Sequence, residues 1–377
     1  MSIAEIFREA IRRNEVHASQ ADWKIINDIL RCRTPEMGGH LYACTECGSK
    51  VPVYNSCRNR HCPQCQGEQS ARWLEARAKE LLPVPYFHNV FTVPHELNGI
   101  FLQNRAVLYG ILFQAAAKAL SDVARRRCGG SLGFFSVLHS WGKKLEYHPH
   151  LHVVIPGVIM KGGEIEVASE NYLLPKNVLS VVFRAVFIKL LVRAYLGKKL
   201  SFFGAMVYLT DPPSFFALIE TVKKKHWITY SKKPFAGPES VLKYLALYTH
   251  RVGISEKRIL SIQNGRVSFT FKDYADDSNQ KVLTVSVREF TRRFLLHTLP
   301  KAFVRVRYYG FFAAGRRKTE LLRLQRHFNS TQQISPLPLK PRPCPHCGSF
   351  TLIRSTQLPK VRHSSMSHKS KELSLVA

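Results

Sequence analysis

A short stretch beginning at Cys44, CTECGSKVPVYNSCRNRHCPQCQ, can fold in very few ways. Its cysteines come as two knuckles, Cys44-x2-Cys47 and Cys62-x2-Cys65, separated by fourteen residues. Too few apolar residues lie between them for a hydrophobic core to hold the segment together. A divalent ion can do so, because four thiolates complete the tetrahedral shell that Zn2+ takes in structural sites. The glycine and proline of the knuckles suit the tight backbone turns. The spacing therefore predicts one structural Zn2+ held by Cys44, Cys47, Cys62 and Cys65. Cys57, His61 and His40 lie close by in sequence and are read as bystanders that can exchange with a knuckle residue or help build a second site. Cys344-x2-Cys347 is half a site, with His363, His368 or a second molecule as candidate partners.

Charge bounds the function. The 377 residues include 56 Lys plus Arg against 26 Asp plus Glu, a formal net charge of +30, on an ordinary 45% hydrophobic content. That describes a folded body with a strong positive field, not a disordered basic tail. Nucleic acid is the leading partner, since neutralising phosphates releases counterions. An anionic membrane is disfavoured, because the basic residues do not line one amphipathic helix beside an apolar anchor. No stretch reaches the roughly 18 apolar residues of a membrane span, and Met1 to Arg13 lacks the apolar core of a signal peptide. The expectation is a cytoplasmic, nucleoid-associated protein, where clustered cysteines serve metals more often than disulfides.

Along the chain, residues 3–32 read as two amphipathic helices, the second capped by Ser19. A helix is expected over ARWLEARAKELL, a strand over YFHNVFTVP and a long helical region over 97–127. Strands follow at FFSVLH and LHVVIPG, then helices over 174–196 and 213–225. Another helix opens at Gly237-Pro238-Glu239. Asn264-Gly265 joins two β-rich runs as a hairpin, with VLTVSV as a further strand and REFTRRFLLHTL as a further helix. The pattern predicts an α+β fold. Residues 1–90 are expected to form a helical and zinc-binding domain, 91–328 a mixed α and β domain, and 329–377 a basic, flexible tail around one CxxC.

Within HPHLHVVIPG, His150 and His152 point to one side of a strand while Leu151 points into the core. Two imidazoles so placed can hold one divalent ion, although incidental histidines on a half-exposed strand share the pattern. In GPESVLKYLALYTHR, Tyr244 and Tyr248 stand four apart, on one helix face; core packing is the ordinary fate of such a pair. His250 and Arg251 nonetheless make a polar helix end that a plain core does not need.

Taken together, these stretches carry a resemblance. His150-Leu151-His152 resembles the histidine, hydrophobe, histidine signature of the HUH endonucleases, and Tyr244 with Tyr248 resembles their two-tyrosine motif. With SCRNRHCPQC, LHSWGKKLEYHPHLHVVIPG, YLALYTHRVGIS and LPKAFVRVRYYGFFA in matching order from about residue 20 to 350, the chain is similar to rolling-circle insertion-sequence transposases of the IS91 type. The resemblance implies an HUH-type antiparallel sheet with packed helices, the histidine strand central and the tyrosine helix across it. It also implies a nuclease and strand transferase acting on single-stranded DNA. Tyr248 would be the primary nucleophile and Tyr244 the second, with Mg2+ or Mn2+ at His150 and His152. His148, Glu239 and His250 are candidates for a third ligand. Tyr308 and Tyr309, beside Arg305 and Arg307, are candidates for stacking bases. A replication initiator or relaxase of the same superfamily, or a non-catalytic zinc-containing DNA-binding protein, are the alternatives.

Overall fold

Ser2 starts the first helix, α1 (Ile3–Arg12), with a reciprocal cap: its hydroxyl accepts from the Glu5 amide, and the Glu5 carboxylate accepts from the Ser2 amide. Ile3, Ile6, Phe7 and Ala10 lie on one stripe and are fully buried. Ser19 caps α2 (Gln20–Arg31) through the Asp22 amide, as its sequence predicts. A hairpin follows, β1 (Gly39–Cys44) and β2 (Lys50–Tyr54). The helix α3 (Pro63–Ala78) begins inside the second cysteine knuckle, with Pro63 at its first position. This computed structural model describes residues 1–169, 174–232, 240–241, 253–273, 276–277, 279–329 and 342–361. Tyr244, Tyr248, Glu239, His250, His363 and His368 lie outside the described residues.

A five-stranded antiparallel sheet organises the middle of the chain. Its strands are β3 (Tyr86–Thr92), β4 (Phe134–Trp141), β5 (Tyr147–Pro156), β8 (Thr229–Lys232) and β12 (Val306–Tyr309), in the order β12-β4-β5-β3-β8. The histidine strand β5 is central. Alternation sends Leu151, Val153 and Ile155 to one face, where they join the largest core with Phe87 and Phe91. That core is roofed by α5 (Arg105–Cys128) and α6 (Lys176–Leu196), and Phe183, Phe187 and Trp227 interlock within it. Each such buried side chain contributes about 1.5–3 kcal/mol.

Residues of opposite parity line the other face: Tyr86 and His88 on β3, Val137 and His139 on β4, His150, His152 and Val154 on β5. The apolar half of this face packs on Phe311, Phe312, Leu321 and Leu324, the last two from α9 (Ala314–His327), and on Val241. The histidines occupy the remaining half.

Contrary to the expectation of no membrane-length stretch, α5 is long and apolar enough to cross a membrane by length and composition. More than half of that window, 56%, is buried inside the protein, which accounts for its apolar character as core packing.

A second, three-stranded sheet holds β9 (Ile259–Gln263), β10 (Arg266–Asp273) and β11 (Asn279–Ser286). Asn264 and Gly265 turn the β9–β10 hairpin with φ of 49° and 73°, the left-handed pair that such a turn requires. Ser286 then caps α8 (Val287–Leu295). Val267, Phe269, Phe290 and Phe294 share one core with Ile3, Phe7, Ile26 and Ile29, and Phe7 meets Phe294 edge to face at 5.4 Å. The N-terminal helices thus pack on residues 254–295.

The tail is the main correction to the expected organisation. Residues 352–358 form β13 (Leu352–Leu358), which pairs antiparallel along β1 from Gly39↔Leu358 to Cys44↔Leu352. The backbone of β1 had a free edge on that side, and the returning strand fills it.

Candidate functional site

His139 and His150 stand opposite each other on β4 and β5, and His152 follows two residues along β5. A ligand nitrogen from each of the three lies within 4.8 Å of the others. His150 Nδ1–H donates to the His148 carbonyl at 2.7 Å, which leaves Nε2 as the lone-pair nitrogen. That nitrogen is 3.1 Å from His152 Nε2. Two nitrogens each roughly 2.1 Å from one divalent ion lie roughly 3.0–3.4 Å apart for angles between octahedral and tetrahedral, so the donor set fits an ion. On its far side His152 Nδ1 is 3.0 Å from His88 Nε2, and the two rings stack. His88 is therefore a partner that sets the tautomer and orientation of His152.

Burial disfavours the charged form of His150 and His152. It pulls His150 down to about 3 and His152 well below its ordinary value, and the neighbouring histidines and Arg305 push His152 further the same way. Neutral imidazoles are ready ligands and leave an ion its full charge.

The third ligand expected from sequence was His148, Glu239 or His250. His148 instead offers its carbonyl to His150, and the other two lie outside the described residues. His139 went unseen because it sits in FFSVLHSW, eleven residues before His150. Only the β4–β5 register brings it to the site.

Arg305 borders this cluster. Its Nε donates to the Leu138 carbonyl at 2.9 Å, and its guanidinium lies 4.9 Å over the Trp141 ring, which itself stacks on His139. Among the described residues its buried Nη2 has no hydrogen-bond partner. Burial, with help from the charge of Arg60, lowers this guanidinium to about 9. Among the described residues no ion pair engages this cation, which leaves it electrostatically short of an anion.

Tyr308 and Tyr309, the candidates for stacking bases, are half-buried and each has a ring partner on the sheet. Tyr308 packs on Phe135 under Arg317, and Tyr309 stacks on Phe134 at 5.0 Å. Arg60 donates to the Pro300 and Phe303 carbonyls and ties the cysteine module to that loop.

The cysteines correct the single shared site. The knuckles separate: Cys62 and Cys65 join Cys32 and Cys57, whereas Cys44 and Cys47 join Cys344 and Cys347. In the first group Cys65 Sγ lies 3.5 Å from both Cys32 Sγ and Cys57 Sγ. Thiolates around a tetrahedral Zn2+ stand roughly 3.8 Å apart. Cys57 is thus inside a cluster, not a bystander, and Cys32 at the end of α2 was overlooked. His61 is occupied elsewhere: its Nδ1–H donates to Asn59 Oδ1 and its Nε2 accepts from the Leu299 amide. Cys344 and Cys347 find their complement in Cys44 and Cys47 of this chain.

Two families of sequences match this chain. A family model described as "Putative transposase" (Y2_Tnp) covers residues 133–320, and one described as "Transposase zinc-binding domain" (Zn_Tnp_IS91) covers residues 3–93. "Putative transposase y4qJ" of Sinorhizobium fredii is 45% identical over 326 residues, spanning 85% of this chain and 82% of the relative. The chain belongs to the IS91-type transposase family. A second relative of this transposase is the "Transposase for insertion sequence element IS801" of Pseudomonas savastanoi pv. phaseolicola, 30% identical over 76% of this chain and 69% of the relative. No solved structure matches.

The family accounts for the basic surface, since a transposase acts on DNA. The transposase match opens at β4 and closes in α9, so it encloses His139, His150, His152 and Arg305. The zinc-binding match runs from α1 through β3 and encloses Cys32, Cys57, Cys62 and Cys65, the cluster that supports a structural Zn2+. Cys344 and Cys347 fall outside both.

Proposed function

We propose that this transposase cuts and rejoins single-stranded DNA through 5′-phosphotyrosine intermediates, in a rolling-circle-like transposition with the HUH arrangement of groups. One observation carries the reading. Val241, just ahead of the tyrosine-bearing stretch, is buried in the same cluster as Val137 and Val154 from the histidine face of the sheet. In the sequence, positions 241, 244 and 248 have the spacing of one helix face; Tyr244 and Tyr248 themselves lie outside the described residues.

His139, His150 and His152 would hold a divalent ion, Mg2+ or Mn2+, which when bound polarises the scissile phosphate. His88 keeps His152 oriented. Arg305 supplies a fixed positive charge at the edge of the cluster, suited to a non-bridging phosphate oxygen. The Tyr248 oxygen attacks phosphorus, the bond to the 3′ oxygen breaks, and the phenol's proton passes through water to the departing 3′ oxygen. Bond energy is retained, so no nucleotide is consumed. Tyr244 repeats the transfer on a second strand, and attack of a free 3′-hydroxyl on a phosphotyrosine restores the phenol. Cys32, Cys57, Cys62 and Cys65 hold a structural Zn2+ that fixes the N-terminal module. Transposase names on both relatives favour transposition over replication initiation or conjugative nicking, which use the same chemistry.

The test incubates the purified protein with labelled single-stranded DNA from the ends of its own element and Mg2+ or Mn2+. A covalent protein–DNA adduct that disappears in Tyr248→Phe and in His150→Ala/His152→Ala is expected. Wild-type adduct yield from the double histidine variant would falsify the metal assignment.

A further inference from the structure

The two knuckles at opposite ends of the chain are copies of one short pattern, CTECGS at Cys44 and CPHCGS at Cys344. They fold alike. The Gly48 amide donates to the Cys44 carbonyl at 2.9 Å and the Gly348 amide to the Cys344 carbonyl at 2.8 Å. The Cys44 amide donates to Ser49 and the Cys344 amide to Ser349, at 3.0 and 2.7 Å. Gly48 and Gly348 have φ of +69° and +77°, and a Cβ at either position would meet nothing within 4 Å. Glycine is present there for the left-handed turn, not for space.

We propose that Cys44, Cys47, Cys344 and Cys347 form a second tetrathiolate Zn2+ site, a zinc ribbon assembled from both ends of the chain that clasps β13 onto β1. The four sulfurs lie within 4.8 Å of one another, with Cys44 Sγ to Cys347 Sγ at 3.6 Å and Cys47 Sγ to Cys344 Sγ at 3.7 Å. These spacings are too long for S–S bonds, which are about 2.05 Å, and close to the roughly 3.8 Å of thiolates sharing a tetrahedral ion. All four ligands are sulfur, which selects Zn2+ over Mg2+ or Mn2+.

A strand in this position needs such a clasp. Five of the seven residues of β13 are exposed, and Ile353 is 59% exposed, so apolar burial does little to hold it. Cys47 and Cys344 are 297 residues apart, so the sulfurs tie the tail to a segment near the other end of the chain. The matched zinc-binding domain ends at residue 93, so half of this site lies outside it. The inference is independent of the catalytic reading, because metal content and strand protection do not require DNA cleavage.

The full-length protein is loaded with excess Zn2+ under reducing conditions, desalted, and its metal measured per chain by elemental analysis. Cys344→Ser/Cys347→Ser is expected to carry one Zn2+ fewer per chain than the wild type, with Co2+ loading giving tetrathiolate absorption that halves in the variant. Amide exchange over Leu352–Leu358 is expected to be slow in the wild type and to accelerate in the variant while β5 stays protected, which separates loss of the clasp from global unfolding. Unchanged metal in the variant, or a mass deficit of four hydrogens from two disulfides, would each overturn the proposal.

Discussion

His139 stands across from His150 in the β4–β5 register, and their rings meet edge to face with centroids 5.5 Å apart. His139 also lies 4.5 Å from His152 between centroids, so it closes a triangle that the two β5 histidines leave open. His139→Ala should therefore weaken Mn2+ binding by about tenfold or more, read by titration calorimetry, with the zinc content unchanged. Equal Mn2+ affinity in the variant would remove His139 from the ligand set.

Arg305 carries a paired prediction. Its buried Nη2, without a hydrogen-bond partner among the described residues, is costly in the free protein and useful when an anion arrives. Arg305→Met should raise the midpoint of thermal unfolding while lowering the rate of adduct formation by about a hundredfold or more. A purely structural arginine would lose stability and activity together.

The two tyrosines should separate by step. Tyr244→Phe is expected to leave the first covalent adduct near the wild-type yield and to block joining of the second strand, followed with two differently labelled oligonucleotides. Loss of the first adduct in that variant, with Tyr248→Phe unaffected, would reverse the assigned order.

His297 makes the pH prediction. It is buried, its Nε2–H donates to the Leu145 carbonyl at 3.2 Å, and its Nδ1 faces Ser140 Oγ at 3.4 Å. Burial lowers it to about 4, against about 6.5 for an exposed histidine. Between those values the unfolded chain takes up a proton that the folded protein refuses. The contribution to stability is thus complete above pH ~6.5 and falls away as the pH drops toward 4. In His297→Gln the slope of unfolding free energy against pH across that window should be shallower by up to about 1.4 kcal/mol per pH unit, measured by urea denaturation. An unchanged slope would mean that the ring is already charged in the folded state.

Local signals in the sequence located most elements. The Ser19 cap, the Asn264-Gly265 turn and the alternation of HLHVVI each act over a few residues, so each is readable without the rest of the chain. The same locality explains the errors. A CxxC pair announces two thiolates but cannot say which other pair completes the shell, and here Cys62 and Cys65 turn to Cys32 and Cys57 while Cys44 and Cys47 reach across the chain.

Sequence alone determined that β5 would present His150 and His152 on one side, that the chain would seek DNA, and that its cysteine knuckles would need metal. Those facts follow from side-chain alternation, net charge and the shortage of apolar residues, all properties of neighbouring positions or of composition. Tertiary structure decided that His139 joins them, that Arg305 borders the cluster, and that β13 returns to β1. Each depends on strand register or on a contact between distant segments, and such contacts are set by how whole sheets pack, where no short window of residues carries the information.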